Sequence, residues 1–158
     1  MTEAPVAALS VDQRLAVGGT LQEILVDTID LGLQAKHLHW NLRGPMFHGL
    51  HLLLDDLAAA AAEAGDTLAE RCLALGVAAD GRISALAGTH LPPPPEGRIS
   101  DQDAADLAVA RLHVYSEVAR SRLGDLGLRD PVSQDLVNGV LMRMEKLLWM
   151  FEAHRPEV

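Results

Sequence analysis

Apolar residues recur at helical spacing along most of the chain, and they fall into four long segments. In the first, Leu15, Leu21, Ile24, Leu25, Thr28, Leu31 and Leu33 follow the three-or-four-residue return of one helix face. Ser10 with Gln13 forms a capping box ahead of it, which predicts a helix from about Val11 to about Asn41. Gly44-Pro45 ends that segment, and a proline suits the start of the next helix. The second helix is predicted from about Met46 to about Leu75, with Gly76 as its stop. Ser100 with Asp103 opens a third helix, which carries Leu107, Val109, Leu112, Val114, Val118 and Leu123 and is predicted to stop around Gly124 to Gly127. Asp130-Pro131, an N-cap followed by proline at the first helical position, starts a fourth. It runs through Leu136, Val140, Leu141, Met144, Leu147, Leu148 and Phe151, with Pro156 as its end.

No segment alternates with period two over a useful length, so the chain reads as all-α. Residues 76–99 form the longest irregular stretch and carry Pro92-Pro93-Pro94-Pro95 near their end. A bundle whose second and third helices run parallel needs such a long crossover. Ile83, Leu86 and their neighbours suit a short helix within it. The organisation expected is a short tail over 1–9, one helical domain over 10–154 and a short tail over 155–158.

Composition narrows the function classes. Of 158 residues, 49% are hydrophobic but only 3% aromatic, the balance of a helical bundle built on Ala and Leu. The formal net charge is −9, from 22 acidic and 13 basic residues. A negative protein repels nucleic acid and anionic membranes unless it carries a local basic patch, so a cation is the more natural partner. Cys72 stands alone, which excludes an intrachain disulfide and fits a reducing cytoplasm. No signal peptide and no membrane-spanning stretch is evident, so a cytoplasmic protein is expected.

The candidate chemistry sits on the second helix. With about 100° per residue and His51 at zero, Asp55 falls near 40°, Asp66 near 60° and Glu70 near 100°. All four share one stripe. His51 and Asp66 are nevertheless ~22 Å apart at 1.5 Å per residue, some ten times a metal–ligand bond. The two pairs serve one metal only if two copies of this helix cross antiparallel about a two-fold axis near residues 60–61. Ala58 to Ala62 offer the small side chains such a crossing needs, and isologous contacts are the commonest oligomer interface.

The run Lys36-His37-Leu38-His39-Trp40-Asn41, with Arg43-Gly44, Phe47, His51, Asp55, Asp66-Thr67 and Ala69-Glu70-Arg71, resembles the Dps family of ferritin-like miniferritins. Asp135-Leu136 and Glu145 to Trp149 resemble its last helix. The resemblance spans nearly the whole chain and implies a ferritin-like four-helix bundle assembled as a hollow dodecamer. It implies a ferroxidase that oxidises Fe(II), with hydrogen peroxide preferred, at sites shared across the two-fold contact, and that stores Fe(III) mineral against oxidative damage. Carried over by position, the ligands are His39, His51 and Asp55 from one subunit and Asp66 and Glu70 from its neighbour. Ordinary ferritins use Glu-x-x-His motifs inside one bundle, and this sequence has none. Imidazole with carboxylate suits Fe(II), and such a site also accepts zinc, cobalt or manganese. The bland alternative for either histidine is a satisfied structural side chain, and for Asp55 a group that orients a ligand without touching the metal.

Other residues carry weaker expectations. Asp56 and Glu63 share another stripe of the second helix, either facing an acidic cavity or simply solvated, while Leu52 and Leu53 stand where family members often have acids. Asp130 and Asp135 match the region that lines acidic pores in the family, though Asp130 also reads as a helix cap. Trp40 and Trp149 are expected to pack, and Lys36 and Arg43 to form interface salt bridges. A DNA-compacting nucleoid protein with incidental metal binding is the alternative reading. It is disfavoured because no basic residue precedes Arg14 and the segment Arg155 to Val158 is nearly neutral, so no tight DNA binding is expected. A third reading, a catalytically silent shell, is opposed by the intact ligand pattern.

Overall fold

The computed structural model describes residues 8–154. Helix α1 spans Val11–Asn41 and starts at the capping box foreseen, with Ser10 Oγ accepting from the Gln13 amide and the Gln13 side chain accepting from the Ser10 amide. Helix α2 spans Phe47–Ala74 and ends at Gly76, whose φ of 77° lies in the left-handed region that favours glycine. Helix α3 spans Asp101–Arg129 and helix α4 spans Pro131–Glu152. The expected ending at Pro156 lies outside the described residues; α4 has already stopped at Glu152.

One expectation needs correcting. The third helix does not stop at Gly124 to Gly127 but continues to Arg129. Each interior glycine costs about 1 kcal/mol relative to alanine, but Leu126 is fully buried, and its burial offsets that cost. The missing Cβ at Gly127 also leaves room for the Gln134 amide, which donates to the Leu123 carbonyl. The helix breaks instead at Asp130, where φ −153° and ψ 93° turn the chain. Asp130 occupies the expected N-cap position, with Pro131 first in the helix, and its carboxylate is engaged by side chains. It is buried, and pairs with Arg71 of α2 at 2.6 Å while accepting the Ser133 hydroxyl.

Helix α1 packs along α2 and α3 along α4, with α1 also against α3 and α2 against α4. The core between them is mostly leucine and alanine, including Leu21, Leu31, Leu54, Leu57, Leu68 and Leu112, with Phe151 closing the end of α4. Two buried polar pairs join α1 to α3: Arg111 Nε donates to Gln34 Oε1 at 3.0 Å, and Thr28 meets Tyr115. Thr28 gives its proton to the Ile24 carbonyl, so the Tyr115 hydroxyl, 2.8 Å away, donates to Thr28. Burial pushes the Tyr115 phenol up to about 12, so it stays protonated.

The crossover contains a short 3-10 helix at Ile83–Gly88, as expected. It lies along α1, held at successive positions. Gln22 exchanges two 2.8 Å hydrogen bonds with the Asp80 backbone. The buried Asp27 carboxylate accepts from the Thr89 hydroxyl and from the His90 amide and ring. Prolines have no amide proton to satisfy but keep their carbonyls: Gln34 and Arg111 donate to Pro92, Arg111 to Pro93, and His37 Nε2 to Pro95. The crossover ends in a feature the periodicity did not announce, a two-residue parallel bridge between β1 (Leu42–Arg43) and β2 (Ile99–Ser100). This bridge puts the start of α3 beside the end of α1, so α2 and α3 set out from the same end of the bundle. That is the topology that demands a long connection.

Candidate metal centre

His39 lies in the last turn of α1 and His51 in the second turn of α2, on either side of the short Leu42–Met46 turn. The antiparallel pairing of α1 and α2 stacks the two imidazoles, with centroids 3.6 Å apart and planes within 18°. Phe47 stacks on the other face of His51 at 4.7 Å. The two rings bind each other's backbones: His39 Nδ1 is 2.9 Å from the His51 carbonyl, and His51 Nδ1 is 3.2 Å from the His39 carbonyl. A carbonyl only accepts, so each Nδ1 carries its proton. In the neutral ring, each Nε2 then keeps its lone pair, the tautomer a metal needs, fixed by a hydrogen bond behind the ring.

Asp55, one helical turn beyond His51, completes the group. Donor atoms of His39, His51 and Asp55 all lie within 4.8 Å of one another. His39 is buried and the other two are half-buried, so the trio is open on one side. Two imidazoles and a carboxylate fit ferrous iron and other first-row divalent ions. Asp55 Oδ1 is 2.6 Å from Lys36 Nζ and 3.3 Å from His39 Nδ1. The Lys36 ammonium holds the Asp55 carboxyl below the usual carboxylate range; partial burial opposes the shift and the imidazoles add to it. Within its own chain, Lys36 thus pairs with Asp55, and it lines an apolar groove between α1 and α2. It also stands 5.8 Å over the ring of Trp40, which is 71% exposed rather than packed. Trp149 is likewise exposed.

The same chain brings neither Asp66 nor Glu70 to this group. Both lie further along α2, exposed. Between them and the trio runs an apolar groove of about 610 Å³, formed by α1, α2 and the start of the crossover. Its lining includes Gly32, Ala58, Ala61, Ala62 and Gly65, with Lys36 and Asp66 among the polar contributors. Of the small residues that suggested close helix approach, Ala59 and Ala62 are exposed, whereas Ala60 and Ala61 pack into the core.

The remaining acids differ in availability. Glu63 pairs with Arg143 of α4, and Glu145 with Arg120 at 2.6 Å; Asp56 and Asp135 are exposed. The Asp130 carboxyl is pushed up by burial, but the Ser133 and Arg71 hydrogen bonds outweigh this and hold it below its ordinary value. That carboxylate is tied to the interior. Residues that spacing had not singled out are Lys36 as the partner of Asp55 and the two backbone carbonyls that set the imidazole tautomers. Backbone carbonyls leave no signature in a sequence.

A family model for the ferritin-like domain matches residues 19–157. The chain is 35% identical over 141 residues to the DNA protection during starvation protein of Agrobacterium fabrum, covering 88% of this chain and 87% of that one. Among solved structures, Mycobacterium smegmatis Dps in its tetragonal form is similar at a TM-score of 0.92 and 30% identity, covering 98% and 94% of the two chains. DpsC from Streptomyces coelicolor is similar at 0.91 and 31%, covering 99% and 94%. Four helices with a long crossover, the open imidazole–carboxylate group and these similarities agree: the chain belongs to the Dps family of ferritin-like proteins, a membership that implies iron binding and protection from oxidative damage.

Proposed function

We propose that this protein is a ferroxidase and iron-storage cage whose oxidation sites are each completed by two chains. The observation that carries this reading is the incomplete shell. His39, His51 and Asp55 converge within 4.8 Å, while Asp66 and Glu70 point outward ~22 Å along the same helix, at 1.5 Å per residue. A second copy laid antiparallel over the apolar groove would exchange the two halves, giving two equivalent sites per contact. Closed repetition of this contact with others would yield the hollow dodecamer that the family resemblance implies.

In each site, the Nε2 atoms of His39 and His51 and the carboxylates of Asp55, Asp66 and Glu70 bind Fe(II) as substrate. Neutral imidazole suits the ferrous state, and added carboxylates favour the higher charge of Fe(III). Two ferrous ions give one electron each; hydrogen peroxide takes both and, with two protons, leaves as two waters. Peroxide consumed pairwise releases no radical. The Fe(III) product passes into the cage as mineral. Zinc would occupy the same donors but has no redox chemistry, so it would act as an inhibitor.

Anaerobic loading with Fe(II), followed by peroxide and then, separately, oxygen, is the test. Fast near-ultraviolet absorbance growth is expected with peroxide. Asp66→Ala with Glu70→Ala should abolish that phase while particle size by light scattering stays unchanged. Full-rate oxidation by the double variant would end this reading.

A further inference from the structure

The imidazole pair depends on the register of α1 against α2, and that register is set at a turn held from outside by a residue of α3. Between the two helices run only Leu42 to Met46. Asp101, the first residue of α3, reaches over this turn and accepts the Met46 amide at 2.7 Å through Oδ2, while its Oδ1 accepts the Gln102 amide at 3.0 Å. The carboxylate fills the space above Gly44: a Cβ built at that glycine would overlap it. Gly44 itself has φ 143°, a backbone conformation that side chains rarely adopt. Beside it, β1 pairs with β2 only at Leu42–Ile99 and Arg43–Ser100. The turn is thus clamped at Arg43 by backbone, at Gly44 by shape and at Met46 by charge.

We propose that Asp101 is a positioning residue for the metal centre, acting through the turn on His39 and His51. This rests on the metal-site reading above. The contacts between α1 and α2 are mainly apolar and tolerate small slides, whereas the reciprocal Nδ1–carbonyl bonds do not. At 2.9 and 3.2 Å they have little slack before exceeding hydrogen-bond range. Met46 immediately precedes α2, so loss of its anchor lets the first turns of α2, including Phe47 and His51, move relative to His39. The imidazoles then lose the mutual orientation that these bonds hold, and affinity falls while the fold survives.

The test uses the full chain in four forms: wild type, Asp101→Ala, Asp101→Asn, and a control. The control is Glu117→Ala, which removes an exposed acid of α3 far from the turn; Asp103 is left intact because it accepts the hydroxyl of Ser100, the bridge partner of Arg43. Anaerobic Co(II) titration by visible absorbance reads affinity; hydrogen exchange of metal-free protein reads the 42–51 backbone. Asp101→Ala should weaken Co(II) binding roughly tenfold, the effect typical of residues that orient ligands, and speed exchange over 42–51. Asp101→Asn keeps an acceptor oxygen and should stay within about twofold of wild type, and Glu117→Ala should leave both readouts unchanged. Wild-type affinity in Asp101→Ala, or an equal loss in Glu117→Ala, would overturn the proposal. If wild type takes up no Co(II), the metal-site reading fails by itself, and the exchange data still decide whether Asp101 clamps the turn.

Discussion

Two inactive chains should repair each other if each site is built from two copies. Let one variant carry His39→Ala with His51→Ala, and the other Asp66→Ala with Glu70→Ala. Neither homodimer has a complete site. In a heterodimer, the acid-deficient chain brings its intact imidazole pair against the intact acid pair of the histidine-deficient chain. One of the two sites is then whole and the other lacks both halves. Random pairing makes about half the two-fold contacts mixed, and each mixed contact restores one site of two, so activity per chain should reach about one quarter of wild type. The geometry leaves no other source for that recovery. The trio converges within 4.8 Å, and the acids lie ~22 Å away along a straight helix, so no single chain closes the shell. The assay is co-expression with two affinity tags, tandem purification to enrich mixed assemblies, and the stopped-flow amplitude of the fast phase after peroxide addition. Doubly tagged assemblies as inactive as either parent would refute the shared site, and so would a histidine-deficient homo-oligomer that oxidises at full rate.

Three further outcomes are expected. Ala62→Glu places a charge in the apolar groove, so the chain should elute at a smaller size in gel filtration and lose the fast oxidation phase; normal assembly would show that this groove is not the contact. Arg71→Ala leaves the buried Asp130 unpaired and should cost about 3–5 kcal/mol, a fall in Tm of roughly 6–20 °C for a chain of this size, read by calorimetry. Because Asp130 is held below its ordinary 3.8 in the folded state, its contribution is complete above that pH and is lost as pH falls through the depressed value, so the gap between variant and wild type should narrow in acid. Purified assembly should not retain duplex DNA in a gel shift at about 150 mM salt, since a chain of net charge −9 offers too few clustered cations for phosphate contacts.

Much of this protein is written in one dimension. The bounds of α1, the capping box, the Gly76 stop and the need for a long crossover all follow from local rules, because helix period, caps and glycine conformations depend on near neighbours alone. The stripe on α2 is equally legible: a fixed rise and turn per residue place His51 with Asp55 and hold Asp66 and Glu70 too far away, before any packing is known. Where local rules met tertiary burial they failed. Gly124 and Gly127 read as a stop, yet α3 continues because Leu126 is buried. Asp130 is the N-cap it read as, but its carboxylate also pairs with Arg71, a residue 59 positions away in the chain. Only the folded chain decided that His39 stacks on His51, that each Nδ1 is occupied by the other's carbonyl, that Lys36 holds Asp55, and that Asp101 reaches back over the turn. Those contacts join segments far apart in sequence through backbone atoms and angles that residue identity does not encode. Sequence thus names the donors, while packing sets their tautomers and their aim.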